Sequence, residues 1–219
     1  MTLAILVALL APAHADTTDW YRAMRDAWSR VGSYRADQYV QERVGGTLLA
    51  EQQMRVVWRR PGEIQLEWVT VHAGRRVYWA AHRFGGYVRI DPGGMFSPVL
   101  SLSTDNFLLK RETNHHISEA GMAYLVQRVL DGYARDDAAG KLPEGRPDVV
   151  RGEAVWTIPL AGDAKAGYTR AELSVGQQTD LPTRYAAWNA KGELIEQFHW
   201  LQVAVNPPLV DQVDFQLGY

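Results

Sequence analysis

The sequence predicts a mainly β domain of the α+β class, in which helices cover one side of a large antiparallel sheet. Apolar and polar residues alternate through most of the stretch from Tyr34 to Asp91, and alternation returns after Leu142. Such a period of two is typical of antiparallel strands with one buried face. Two other segments carry apolar residues at helical spacing, one near the N-terminus and one between the two sets of strands.

The first of these segments predicts a helix from Thr17 to Val31. Thr17 or Thr18 can cap its N-terminus, and Gly32 is a suitable stop. Its apolar positions recur every three or four residues: Trp20, Met24, Ala27, Trp28 and Val31.

The second segment predicts a helix from Ser118 to Tyr133. Ser118 is a good N-cap, and Ile117 and Met122 flank it at the spacing of a hydrophobic staple. One face of this helix is apolar and must lie on the sheet. That face consists of Met122, Leu125, Val126, Val129, Leu130 and Tyr133.

Turn residues divide the remaining chain into strands. In EIQLEWVTV, for example, Ile64, Leu66 and Trp68 alternate with Gln65 and Glu67. Together with the neighbouring runs, this pattern predicts a meander of about five strands in the first half. The segment DPGGMFSP interrupts it with two glycines and two prolines. Four runs predict strands in the second half: VVRGEAVWTIPL, YTRAELSV, TRYAAWN and ELIEQFHWLQVAV.

The first fifteen residues, MTLAILVALLAPAHA, predict a signal peptide cleaved after Ala15. The apolar run Leu3–Leu10 is too short to span a bilayer, which needs about 20 residues. Small residues at Ala13 and Ala15 fit a cleavage site before Asp16. We therefore expect residues 16–219 to form one exported domain.

Composition excludes several classes of protein. The formal net charge of −2 offers no basic excess to attract a nucleic acid. The chain has no cysteine, so disulfides, thiolate nucleophiles and cysteine metal clusters are impossible. No later apolar segment is long enough to predict an integral membrane protein, and we expect no cofactor.

The adjacent histidines His115 and His116 precede the second helix. In extended backbone their side chains point to opposite faces, and no metal-binding histidine spacing occurs. We therefore predict no metal site and interpret the pair as structural, at the entrance of the helix. A hydrolase that uses either histidine with Asp91 is an alternative. No G-x-S-x-G motif supports it.

Tryptophans at Trp58, Trp68 and Trp79 mark three successive predicted strands, with Tyr78 and Tyr87 nearby. These aromatic residues fit two interpretations equally well: a solid core, or the wall of a ligand cavity. This pattern alone leaves the choice open.

The order of the motifs resembles the LolA-like superfamily, which includes the periplasmic lipoprotein carrier LolA and the outer-membrane acceptor LolB. The motif W-R-R-P-G at residues 58–62 matches the strand-end turn of that family. ELSVGQQTDLPTRYAAW, at residues 172–188, matches its strand–turn–strand segment, and V-N-P-P-L follows at residues 205–209. IDPGGMF together with HISEAGMAYLVQRVL is similar to an exported bacterial family known only as a domain of unknown function. In that family other residues, proline included, stand where this chain has the histidine pair, which argues against a catalytic role.

The resemblance implies an incomplete antiparallel β-barrel, a LolA-like half-barrel, with helices covering its open side. It also implies a non-enzymatic function: a periplasmic carrier or binder of a hydrophobic ligand in the Gram-negative envelope. The partner would be a lipid or an acylated protein. We expect the apolar cavity wall to consist of Met54, Val56, Trp58, Ile64, Leu66, Trp68, Val77 and Trp79, with Leu125 and Val129 from the helix.

Two other functions remain open at this point. One is an envelope interaction module with a solid barrel, which would bind a protein partner by strand addition. The other is the hydrolase that uses His115 or His116.

Overall fold

The computed structural model describes residues 17–94, 98–106, 109, 111, 113–163, 167–209, 211–215 and 217. The predicted signal peptide, residues 1–15, lies outside the described residues.

The described residues include twelve strands: β1 Ser33–Val44, β2 Thr47–Leu48, β3 Gln52–Arg59, β4 Glu63–Trp68, β5 Arg76–Ala80, β6 Tyr87–Asp91, β7 Leu100–Ser103, β8 Arg146–Val150, β9 Glu153–Asp163, β10 Tyr168–Gly176, β11 Pro182–Trp188 and β12 Leu194–Val205. They form one antiparallel sheet in the order β7-β6-β5-β4-β3-β1-β12-β11-β10-β9-β8, with β2 paired to β1. In the part of the chain that the structure describes, the end strands β7 and β8 do not pair, so the sheet is open. The predicted incomplete barrel is therefore confirmed.

Two helices, α1 (Trp20–Ser29) and α2 (Met122–Ala138), cover one side of the sheet, which we call the inner face. A short helix, α3 (Asp211–Asp214), lies near the C-terminus. The main core lies between α1, α2 and the inner face, where Met24, Met122 and Tyr34 are fully buried. A hydrogen bond from the Tyr21 hydroxyl to the Leu130 carbonyl, 2.8 Å, joins the two helices.

The predicted helix boundaries need correction. The first helix begins at Trp20, not at Thr17, and the second begins at Met122, not at Ser118. Residues Ile117–Glu119 form a separate 3-10 turn, and Gly121 has a φ of +79°, which a helix cannot accommodate. The second helix then runs to Ala138, five residues beyond its predicted end at Tyr133.

A short strand, β7, was missed by the sequence analysis. Residues 100–103 pair with β6 after the DPGGMFSP interruption. The run is only four residues long, and a turn-rich segment precedes it, so periodicity gave little signal.

The C-terminal segment covers part of the opposite, outer face. Phe215 and Leu217 are buried against Tyr78 and Ala80. Gln65, predicted to face solvent, is buried because this segment lies over it. The outer face of β4 and β5 is therefore a second, smaller core.

Candidate functional site

A cavity of about 300 Å³ lies between the inner face of the sheet and the segment that leads into α2. Its volume is at the lower end of the range of about 300–1,000 Å³ found for small-molecule sites. Strands β3 to β7 supply its floor, and described residues between positions 109 and 120 supply its cover.

The floor is a row of apolar side chains that are direct cross-strand neighbours. Val56 pairs with Leu66, Leu66 with Val77, Val77 with Ile90, and Ile90 with Leu100. Four members of the row, all but Val56, line the cavity. Because paired positions on neighbouring strands point to the same face, alternation in five separate runs builds one continuous apolar surface.

The ten predicted wall residues divide among three places. Those that line the cavity are Met54, Leu66, Trp68 and Val77. Those that line a second cavity, of about 220 Å³ beneath α2, are Leu125 and Val129. Those that belong to the solid core away from both cavities are Val56, Trp58 and Ile64. Trp79, the tenth, packs against that core, and its buried Nε1 has no hydrogen-bond partner among the described residues.

The three tryptophans of the meander therefore differ in their surroundings. Trp58 stacks on Tyr34, with ring centroids 5.6 Å apart, and belongs to the core. Trp68 lines the cavity, where Arg75 lies over its ring at 5.5 Å. Its Nε1 donates to Gln52 at 2.7 Å, so the indole is held in one orientation at the cavity wall.

One end of the cavity is polar and contains two buried carboxylates. Glu42 on β1 and Glu196 on β12 are direct cross-strand partners. They are only 5% and 4% exposed, respectively. The imidazole of His115 meets them, with its Nε2 2.6 Å from a carboxylate oxygen of Glu196. We call these three residues the Glu–His–Glu cluster.

The segment that precedes α2 holds Glu42 in place. Its carboxylate accepts hydrogen bonds from the Thr113 hydroxyl at 2.9 Å and from the Asn114 N–H at 2.7 Å. Nδ1 of His115 lies 3.4 Å from the Glu119 carboxylate. The segment is thus tied to the sheet by polar contacts at this end of the cavity.

Burial and charge act in opposite directions on the pKa values of His115 and Glu42. Burial lowers the pKa of His115, but the hydrogen bond to Glu196 and the charges of Glu196, Glu42 and Glu119 raise it to about 9. Burial also raises the pKa of Glu42, although His115 and the Asn114 N–H oppose that rise. The carboxylates around His115 therefore favour its protonated form.

The two adjacent histidines diverge. His115 points to the cluster, whereas the Nε2 of His116 lies 3.6 Å from the carboxylate of Asp105. Asp91, the partner in the hydrolase alternative, instead bonds Arg76 and the N–H of Gly93. That is the arrangement of a turn aspartate.

Glu42 and Glu196 were missed by the sequence analysis. The available signal was a polar residue at an inward position: Glu42 continues the register of Tyr34, Ala36, Gln38 and Val40. The two carboxylates lie together because β1 pairs with β12. The alternation within a single strand cannot reveal which strand it pairs with.

Comparison with solved structures places the fold among known ones. The Mycobacterium tuberculosis lipoprotein LppX matches with a TM-score of 0.50 and 13% identity, over 90% of this chain and 100% of that one. MucB matches with a TM-score of 0.50 and 17% identity, over 93% of this chain and 64% of the MucB chain. This chain therefore spans less than two thirds of the MucB length. LolA superfamily protein NE2245 from Nitrosomonas europaea also matches, at TM-score 0.41 and 12% identity, over 88% and 96% of the two chains.

These likenesses concern the fold alone, because all three identities are low. No curated protein sequence matches this chain. Among the described residues, no helix has the length and apolar character that crossing a bilayer requires.

The family comparison gives the identity of the chain. Residues 31–217 match the family described as "Protein of unknown function (DUF1571)", and this range includes β1 to β12 and α2 but not α1. The resemblance to a domain-of-unknown-function family with a LolA-like fold is thereby confirmed, and the chain belongs to the DUF1571 family.

Proposed function

We propose that the protein binds and carries a hydrophobic ligand, a lipid or the acyl chains of a lipoprotein, in the periplasm of a Gram-negative envelope. The observation that carries this proposal is the cavity of about 300 Å³ between the sheet and the segment before α2. The proposed location of the protein in the periplasm rests on the signal peptide predicted from residues 1–15.

The cavity suits an amphiphile because its two ends differ. Apolar side chains of β4 to β7 form the floor, while Glu42, His115 and Glu119 lie at the other end. Each buried methylene contributes about 0.8 kcal/mol, so a sixteen-carbon chain gains on the order of 10 kcal/mol before the costs of binding. An enclosed carrier thus makes transfer of such a chain through water feasible.

The first experiment identifies the ligand. The protein is purified from a periplasmic extract, and native mass spectrometry is run beside extraction with organic solvent. We expect a bound mass that extracts into the solvent and matches a lipid. A bare protein that also takes up no added phospholipid or fluorescent fatty acid would contradict the proposal and favour the protein-interaction module.

A pair of variants tests whether the ligand binds in the cavity. Leu102→Glu puts a charge on a half-buried cavity residue. We expect it to weaken uptake of a fluorescent fatty acid at least about tenfold, because burying a carboxylate against the ligand is costly. Val149→Glu adds the same charge on β8, at a residue that is 67% exposed, and should bind as the parent does.

Equal binding by both variants, with unchanged thermal melting, would show that the ligand lies elsewhere. The second cavity, beneath α2, would then be the place to probe.

A further inference from the structure

The Glu–His–Glu cluster poses an electrostatic problem. Glu42 and Glu196 are direct cross-strand partners, and both carboxylates are buried. Like charges directly opposite one another destabilise a sheet, and burial increases the cost. His115 is the third side chain of the cluster, and its imidazole meets both carboxylates. A divalent cation bound between the three side chains would offset the repulsion of the two carboxylates.

We infer that Glu42, His115 and Glu196 form a binding site for a divalent transition-metal ion such as Zn²⁺ or Mn²⁺. One ligand atom from each residue lies within 4.8 Å of the others. Donor atoms around a tetrahedral Zn²⁺ are about 2.0–2.2 Å from the metal, hence roughly 3.3 Å from one another. The contact between His115 and Glu196, now 2.6 Å, would therefore widen by less than about 1 Å.

With a divalent ion bound, the charges of the ion and of the two carboxylates balance. A divalent ion would displace the proton from the Nε2 of His115 and neutralise the two carboxylates. The other ring nitrogen, Nδ1, already lies 3.4 Å from Glu119. A carboxylate at that position orients a metal-bound imidazole and increases its basicity.

Glu42 is oriented by its neighbours in the same way. The hydrogen bonds from the Thr113 hydroxyl and the Asn114 N–H fix the carboxylate of Glu42. Partners of this kind commonly support metal-bound carboxylates.

The donor set selects the class of ion. Ca²⁺ and Mg²⁺ prefer sites made entirely of oxygen atoms, whereas an imidazole with two carboxylates suits Zn²⁺ or Mn²⁺. An ion can reach the site, because Glu42 and His115 both line the cavity. The remaining coordination positions would take water from that side.

A purely structural ion pair is the competing explanation. In that case His115 would only tie the segment before α2 to the sheet. The two explanations differ in one measurable respect, namely whether the protein binds a metal ion with one-to-one stoichiometry through these side chains.

The test is a titration of the full chain, purified without a polyhistidine tag and stripped with a chelator. Calorimetry with Zn²⁺ and with Mn²⁺, beside native mass spectrometry, should show one ion per chain. A hundredfold excess of Ca²⁺ should not displace it. No uptake of either ion, or ready displacement by Ca²⁺, would overturn the inference.

Single variants locate the ion. His115→Gln and Glu196→Gln should each weaken binding by at least about tenfold. His116→Gln removes the adjacent imidazole, which lies outside the cluster, and should bind as the parent does. Undiminished binding by folded His115→Gln would assign the ion to another part of the surface.

Crystals of the parent protein soaked in Zn²⁺ give an answer that does not depend on how the variants fold. An anomalous difference peak between Glu42, His115 and Glu196 is expected, and a peak only at other residues refutes the site. None of these measurements involves a lipid, so their outcome is independent of the proposed carrier function.

Discussion

The hydroxyl of Tyr34 accepts a hydrogen bond from the main-chain N–H of Met122 at 2.8 Å, across 88 positions of the sequence. Tyr34 lies near the start of the central strand β1 and is fully buried, and Met122 is the first residue of α2. Burial raises the pKa of the Tyr34 phenol, so it stays protonated throughout the ordinary pH range. One side chain of the sheet thus fixes where the second helix begins.

Removal of this hydroxyl should destabilise the protein. Tyr34→Phe leaves the buried N–H of Met122 without its partner, which costs about 1–3 kcal/mol. Urea denaturation measures the free energy of unfolding. Tyr124→Phe makes the same change at a half-buried residue of α2 and should stay within about 0.5 kcal/mol of the parent. Equal free energies for the two variants would show that the bond to Met122 is unimportant.

Two glycines should respond oppositely to alanine. Gly121 has a φ of +79°, and a Cβ there would lie 2.6 Å from the Tyr34 hydroxyl oxygen. Gly121→Ala should therefore cost at least about 1–3 kcal/mol. Gly132, in the middle of α2, has no atom of the described residues within 4 Å of an added Cβ. Gly132→Ala should stabilise by about 0.5–1 kcal/mol. Thermal melts that shift in the same direction for both would contradict this account.

The C-terminal segment should contribute substantially to stability through Phe215. This ring is 1% exposed and packs edge-on against Tyr78 at 5.9 Å. Phe215→Ala should lower the free energy of unfolding by about 3–5 kcal/mol. Val213→Ala, at a residue that is 61% exposed, serves as the control and should change it little. The Phe215 variant should also be cut earlier by proteases near its C-terminus, and an unchanged cleavage pattern would argue against this role.

Acid should destabilise the protein partly through His199. Burial, together with the charges of Arg151 and Arg184, lowers the pKa of His199 from 6.5 to about 4. Between those values the unfolded chain binds a proton that the folded protein does not, so the stability contributed by this group falls as pH decreases from about 6.5 to about 4. In the His199→Gln variant, this pH-dependent contribution to the free energy of unfolding should be absent. Parallel stability curves for parent and variant across that interval would exclude it.

The sheet was largely predictable because alternation is a local property. In β4, the pattern of Ile64, Leu66 and Trp68 is visible without knowing any partner strand. The start of α2 was not predictable in the same way. Ser118 is a good local cap, but Tyr34 and the conformation of Gly121 place the first helical residue at Met122.

The candidate site shows the same limit. Four predicted wall residues line the cavity, because apolar inward positions can be read from each strand. The Glu–His–Glu cluster joins three segments far apart in the sequence. Its carboxylates become a pair only through the register of β1 with β12, in which Glu42 lies opposite Glu196.

The pairing of β1 with β12 has a consequence for the order of folding. Strands on either side of this central seam are mostly joined by hairpins, which close short loops and form fast. The seam itself joins the two ends of the domain, so the entropy of nearly the whole intervening chain opposes its closure. During synthesis the edge of β1 stays unpaired until β12 has been made, and such an edge is prone to aggregation. Glu42 and Glu196 come together only at this closure, so the polar end of the cavity is complete only once β12 has paired with β1.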